Sequence, residues 1–174
     1  EVVFNDPVLA EAYINDIYAE LSFLNREGWG FEWTDPTSSL SDEGRQGRDW
    51  HPLYFHSKAG LLDENGGLME LWNYGTIRKV NEFIEKIGNA TAVSENEKKE
   101  MIAKVRYARA IIYFYMVKRY GGIPIITKPQ ALDAPKAELF VSSDQEVEVY
   151  DFIIDDLDAI VNDLPEVTAV GYPT

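Results

Sequence analysis

Residues 94–124 read SENEKKEMIAKVRYARAIIYFYMVKRYGGIP, and the fold turns on this stretch. Ser94-Glu95-Asn96-Glu97 is a capping box. The serine side chain can accept from the amide three residues on, and the glutamate can reach back to the serine amide. Charged residues fill the first turns: Glu97, Lys98, Lys99 and Glu100. From Ala108 to Val117 the chain is apolar nearly all round, the pattern of a helix with neighbours on several sides. Gly121-Gly122 allows a left-handed cap and Pro124 prevents resumption. The stretch therefore predicts one long, largely buried helix from 94 to about 120. Ile123 to Thr127 is predicted to run extended.

Working outward, Asp6-Pro7 marks a helix start, with an Asp N-cap and Pro at the first helical position. Ala10, Tyr13, Ile17, Leu21 and Leu24 recur at steps of three and four, which predicts a helix from 7 to about 25. A second helix is expected from 68 to 88. Leu68, Leu71, Trp72, Val80, Phe83, Ile84 and Ile87 form its buried face, and Gly88-Asn89 ends it. After the long helix, Ser143-Asp144-Gln145-Glu146 reads as another capping box. Val147, Tyr150, Ile154, Leu157, Val161 and Leu164 follow as an apolar stripe, with Asp151, Asp155, Asp156 and Asp158 on a solvated acidic face and Pro165 as the stop. Strand content is expected to be negligible. Paired helices of similar length suggest a helical-repeat architecture, with the four-helix bundle as the rival.

Residues 26–66 read differently. Gly28, Gly30, Pro36, Gly44, Gly47, Pro52, Gly60, Gly66 and Gly67 punctuate this stretch and its edge, and no period survives. A loop of about 40 residues is far beyond ordinary connections, and loops of that length carry function or are disordered. Three of the four Trp lie here, which argues for function. Trp29, Trp33, Trp50, Tyr54 and His51 crowd together with Arg45, Arg48 and Asp49. Sugar rings present an apolar C–H face and a hydroxyl edge, so an aromatic platform with bidentate polar groups suits them. The bland alternative is that these aromatics only anchor the loop. His51 and His56 read as surface residues, not metal ligands. Asp63 to Glu70 lacks the full spacing of a calcium loop and reads as a turn.

Composition narrows the functions further. Net charge is -14 over 174 residues, which opposes phosphate binding and docking of a basic face on anionic lipid. There is no cysteine, which excludes disulfides and thiolate chemistry. No apolar run approaches the ~18 residues of a membrane span. No nucleophile elbow, P-loop or zinc motif occurs. No cofactor, no metal and no nucleic-acid partner is expected, and the chain does not read as an enzyme.

Arg106-Tyr107-Ala108-Arg109-Ala110-Ile111-Ile112-Tyr113-Phe114 followed by Tyr120-Gly121-Gly122-Ile123-Pro124 closely resembles the signature of the SusD/RagB family. There an Arg and an aromatic precede R-A-x-x-Y-F, and an aromatic precedes G-G-[IV]-P. Trp72 to Asn81 is similar to the family's W-x-x-x-Y-x-x-I-x-x-A-N helix, with Tyr74 one place early and Val80 for the usual Ala. Val149 to Leu157 resembles its V-Y-x-x-I-x-x-D-L helix. Gly171-Tyr172-Pro173-Thr174 resembles the opening of its G-R-x-T-K block, with Tyr172 for Arg. The resemblance covers residues 6–174 in order.

It implies an all-α, tetratricopeptide-like scaffold, a SusD-like α-α superhelix with a long irregular loop. It also implies that residues 1–174 are the N-terminal helical part of a longer protein. The expected function is glycan capture at the cell surface by an outer-membrane lipoprotein, with handover to a SusC-like TonB-dependent transporter. The resemblance also implies a lipid-bearing cysteine, which is not among these 174 residues. Peptide as the ligand, or a pure docking scaffold with ligand contacts elsewhere, are the alternatives. Arg106 and Arg109 are expected to form scaffold ion pairs near Glu97 and Glu100. Tyr107, Tyr113, Tyr115, Tyr120, Trp72 and Asn81 are expected to be structural. Ligand contacts are expected around Trp50.

Overall fold

The computed structural model describes residues 3–21, 71–131 and 133–165. The chain divides into two compact units, one of Glu1–Ala19 with Asn73–Thr174 and one of Glu20–Trp72. Nearly all described residues belong to the first. A 3-10 turn, Val3–Asn5, opens it. Helices α1 (Pro7–Ala19), α2 (Tyr74–Gly88), α3 (Glu95–Tyr120), a single turn α4 (Lys136–Leu139) and α5 (Glu146–Asp158) follow. No strand occurs among the described residues.

The caps explain where these helices begin. The Val8 amide donates to Asp6 Oδ1 at 2.9 Å, so Asp6 caps α1 as its sequence predicts. At α3 the full capping box is present: the Glu97 amide donates to Ser94 Oγ, and the Ser94 amide to Glu97 Oε2 at 3.0 Å. These bonds hold the exposed Glu97 carboxyl below its usual range. The box predicted from Ser143 lies two residues further on. Gln145 is the N-cap of α5, and its amide donates to Glu148 Oε2 at 2.7 Å. Asp144, one residue earlier, is engaged elsewhere: its carboxylate accepts from the Ile125 amide at 2.7 Å.

Helix α2 begins at Tyr74 and not at 68; residues 71–73 are not helical. The Thr76 hydroxyl donates to Asn73 Oδ1 at 2.7 Å. Local bonds of this kind compete with helical pairing and fix a boundary. The buried face of α2 is Thr76, Ile77, Val80, Asn81, Phe83 and Ile87. Trp72, 51% exposed, is not buried as the predicted face requires.

Helix α3 is the hub. Its 26 residues span about 39 Å. It packs against α1, α2 and α5. Met101, Ala103, Val105, Ala108, Ala110, Ile112, Tyr113, Met116 and Val117 are buried along it. Among its tyrosines only Tyr113 is fully enclosed; Tyr107 and Tyr120 are exposed, and Tyr115 lies half-buried under the Lys118 ammonium at 4.2 Å. Helix α1 is tied to α3 where the Tyr18 hydroxyl donates to the Lys104 carbonyl at 3.0 Å. Phe4, Tyr13 and Phe83 join the 3-10 turn, α1 and α2, with ring centroids 5.5–5.8 Å apart.

The inner face of α5 differs from the predicted stripe. Val149, Ile153, Asp156 and, in the turn after α5, Ile160 are buried, whereas Val147, Ile154 and, in the same turn, Val161 are exposed. The apolar pattern favoured the uniformly greasy side. The side that packs on α3 carries an aspartate because α3 supplies its partners.

After α3, residue Gly121 has φ +71, a backbone state that suits glycine, and its amide donates to the Val117 carbonyl at 2.8 Å. Gly122 meets a different demand. A Cβ there would lie 2.3 Å from the Asp144 carbonyl oxygen. Gly122→Ala is therefore expected to lower the urea unfolding free energy by about 1–3 kcal/mol through overpacking against backbone. Gly75, in the first turn of α2, has nothing within 4 Å of an added Cβ. Gly75→Ala should leave stability unchanged or raise it by up to about 1 kcal/mol. Equal midpoint shifts for the two variants would contradict this account.

Candidate functional site

Every residue with a predicted ligand role, namely Trp29, Trp33, Arg45, Arg48, Asp49, Trp50, His51 and Tyr54, lies outside the described residues, as do His56 and the Asp63–Glu70 turn. The described part shows the polar machinery of the scaffold that carries them in sequence. Its centre is Asp156, buried at 4% exposure on α5. Arg109 on α3 grips this carboxylate with both ends of its fork: Nη2 lies 2.8 Å from Oδ1 and 2.9 Å from Oδ2, and Nε 3.2 Å from Oδ2. Arg106, one turn earlier, reaches Oδ1 through Nε at 2.8 Å and Nη2 at 2.7 Å. The ion pair expected of these arginines on the shared surface of packed helices is present, and its acid is Asp156 and not the nearby Glu97 or Glu100. Glu97 is held in the capping box, and Glu100 pairs with Lys104 at 3.0 Å. The same finding corrects Asp156, which sequence placed on a solvated face. Asp151, Asp155 and Asp158 do stay exposed.

The network continues. Arg109 Nη1 donates to Asn81 Oδ1 at 2.8 Å, and Asn81 Nδ2 donates to the Ile126 carbonyl at 2.9 Å. The guanidinium also lies over the Phe152 ring, 5.4 Å from its centroid. Residues 123–126 pair with no strand among the described residues, and side chains meet most of their backbone groups. The Tyr74 hydroxyl donates to the Pro124 carbonyl at 2.6 Å, and the Ile126 amide donates to Tyr113 Oη at 2.7 Å. The Asp144 amide donates to the Ile123 carbonyl at 3.2 Å. Burial raises the Tyr113 phenol to about 12. Burial likewise pushes the Tyr18 and Tyr74 phenols up.

These groups answer one another. Each charge has a partner and each hydroxyl an acceptor or donor, so the cluster fastens α2, α3, α5 and the segment after Gly122. Among the described residues no cluster of three or more His, Asp or Glu could hold a metal ion, and no helix is long and apolar enough to cross a membrane.

Asp156→Ala leaves the buried Arg109 guanidinium without its counter-charge, so a loss of about 3–5 kcal/mol is expected in denaturant unfolding. Arg106→Ala, whose side chain is 26% exposed, should cost only about 1 kcal/mol. Similar losses from both would show that Arg109 does not depend on Asp156. The pH dependence follows from Tyr113. Its folded pKa exceeds the unfolded value of 10.0, so the fold holds the proton more tightly. That contribution is fully present below pH 10 and fades as pH rises towards 12. Urea midpoints across this window should fall more in the wild type than in Tyr113→Phe.

Comparison with known proteins identifies the scaffold. The profile of a SusD-like family described as "Starch-binding associating with outer membrane" matches residues 8–172. A SusD-like protein of Bacteroides ovatus is 33% identical over 129 residues, which are 71% of this chain and 22% of that protein. SusD-like protein P2 of Formosa agariphila is 28% identical over 176 residues, covering 95% of this chain and 33% of its own length. Among solved structures, a SusD-like protein of Bacteroides fragilis aligns with 98% of this chain and 32% of its own, at TM-score 0.67 and 28% identity. A second, a SusD-like carbohydrate binding protein from the same species, gives TM-score 0.70 at 22% identity, with 98% and 34% covered, a likeness of fold. The chain thus spans a fifth to a third of the length of these relatives. With a family profile matched along nearly its whole length and a tetratricopeptide-like helical scaffold to go with it, the chain belongs to the SusD-like family.

Proposed function

We propose that this chain is part of a surface-exposed outer-membrane lipoprotein that captures oligosaccharides and passes them to a SusC-like TonB-dependent transporter. The observation that carries the reading is the family match over residues 8–172, to a family described as starch-binding and associated with the outer membrane. The second solved relative, a carbohydrate binding protein, points the same way. The composition of residues 26–66 supplies the chemistry. Trp50, with Tyr54, Trp33 and Trp29, offers flat apolar faces for the C–H side of a sugar ring; Arg45, Arg48, Asp49 and His51 offer donors and acceptors for its hydroxyls. Capture by stacking and hydrogen bonding is an equilibrium, and no bond in the ligand is broken. The chain acts here as a binding protein and not as an enzyme.

A second reading has an observation in its favour. The buried polar groups described above are spent on one another, which suits a docking scaffold with ligand contacts elsewhere in a longer protein. A peptide ligand would use the same aromatic and charged side chains.

Calorimetric titration of a panel of neutral and acidic oligosaccharides, alongside a peptide pool, separates these readings. Binding of at least one glycan is expected, and Trp50→Ala should weaken it about tenfold or more, equivalent to about 1.4 kcal/mol. Binding that persists unchanged in Trp50→Ala moves the ligand site away from this segment. Saturable binding of peptide alone refutes the glycan reading, and time-dependent loss of intact glycan refutes the non-catalytic one.

A further inference from the structure

Among the described residues, none between Ile123 and Val149 is buried. A segment that places no side chain in the core is held mainly by polar bonds, and here those bonds fall into two groups. The first clasps the base. The Asp144 amide donates to the Ile123 carbonyl and the Asp144 carboxylate accepts from the Ile125 amide, which brings the two ends of the segment together. Tyr74, Asn81 and Tyr113 fix Pro124 and Ile126 from α2 and α3. The second group is a relay of two bonds further out. Arg78 Nη1 donates to the Gln130 carbonyl, and the Gln130 side-chain amide donates to the Glu138 carbonyl in α4. Arg78 is itself steadied by Glu82, 2.9 Å away and one turn along α2. Gln130 is thus the middle link between α2 and α4.

The part beyond the base differs from the frame in kind. For residues 127–131 and 133–143, the bond from Arg78 is the one hydrogen bond to a helix of the frame among the described residues. The remaining backbone bonds of this part are local turns, such as Phe140 to Lys136. Helix α4 buries none of its residues. Just after it begins an apolar tip, with Leu139, Phe140 and Val141 exposed at 37%, 75% and 41%. The free energy needed to open a region grows with the apolar contacts and bonds that must be broken. A region with few of either opens far below the cost of global unfolding, and segments that move on binding are drawn from that end of the range.

We propose that residues 127–143 form a latched arm, hinged at the Ile123–Asp144 clasp and held shut by the Arg78–Gln130–Glu138 relay, which opens as a unit while the helices stay folded. Opening breaks the relay, frees one edge of the Arg78 guanidinium and lets the Leu139–Phe140–Val141 tip change its position against α2. A partner that grips the tip better in one position shifts the latch towards it. The device does not depend on which ligand the protein takes.

Hydrogen exchange on the intact protein separates arm from frame. The Glu138 and Phe140 amides, each 2.8 Å from the carbonyl it donates to, report on the arm. The amides of Ala108 to Tyr113, inside α3, report on the frame. The arm amides should be protected about tenfold over an unstructured peptide, and about a hundredfold or more below the α3 amides. Gln130→Ala removes the outer bond of the relay and Arg78→Met the inner one. Each should cut the arm's protection about fivefold, the scale of one net hydrogen bond, and leave α3 unchanged. Arm protection equal to that of α3 overturns the proposal, because the arm then opens only with the whole fold. Protection unchanged in both variants overturns it too, as does a parallel fall in α3. Trypsin gives a second readout. Lys136 is the arm's cleavable site, since Pro129 follows Lys128 and blocks cutting there. Cleavage after Lys136 should quicken about fivefold in Gln130→Ala, matching the exchange. An unchanged rate counts against the latch.

Discussion

The buried Arg109–Asp156 pair is the constraint from which the rest of the described scaffold follows. A carboxylate at 4% exposure is tolerable only if its lone pairs are met, and the fork of Arg109 meets two of them at once. Satisfying the guanidinium in turn recruits Asn81 on α2, and Asn81 reaches on to the Ile126 backbone. One ion pair thereby fixes the rotation of α5 about its axis, the register of α2 against α3 and the path of the chain after Gly122. The aromatic rings of Phe152, Tyr113 and Tyr74 fill the space around it edge to face. Such a cluster adds directionality to a core that aliphatic packing alone would leave free to slide.

Much of this scaffold was legible because helix signals are local. Ser94 and Glu97 stand three apart, Asp6 precedes Pro7, and the greasy half of α3 must find neighbours on most of its sides; each settles an element without reference to the rest of the chain. Most of the misreadings involve partners far away in sequence. Asp156 looks like a surface residue until Arg109, 47 residues earlier, is placed beside it. Without that pair, Val147, Ile154 and Val161 make the better buried stripe on α5. Ser143 satisfies the spacing of a capping box as well as Gln145 does. What separates them is that Asp144 is drawn to Ile125, a tertiary matter. Trp72 and Tyr74 illustrate a boundary problem: apolar periodicity continues through Trp72, yet the Asn73–Thr76 bond starts the helix only afterwards.

The candidate ligand residues were legible in another sense. Their types and crowding, Trp and Tyr with Arg, Asp and His, express a chemistry without expressing a geometry. Aromatic platforms and hydrogen-bonding groups can be counted along a chain, but their planes and distances depend on how residues 26–66 are arranged. The family signature carries the opposite kind of information. Its Arg, Tyr and Gly-Gly-Ile-Pro residues appear in the structure as internal fastenings, so the resemblance identifies the frame more than the ligand.

Helices α1 and α2 lie side by side, joined by the Lys79–Asp16 ion pair at 2.9 Å and by Phe83 against Tyr13, although residues 20–72 separate them in sequence. Closing an excursion of about 50 residues costs only about 2 kcal/mol more than closing a tight four-residue turn, because loop entropy grows with the logarithm of length. The entropy of bringing α1 and α2 together therefore depends only weakly on how many residues separate Ala19 from Asn73. A frame fastened by its own buried charges, Arg109 with Asp156 above all, draws its cohesion from pairs that lie outside residues 20–72.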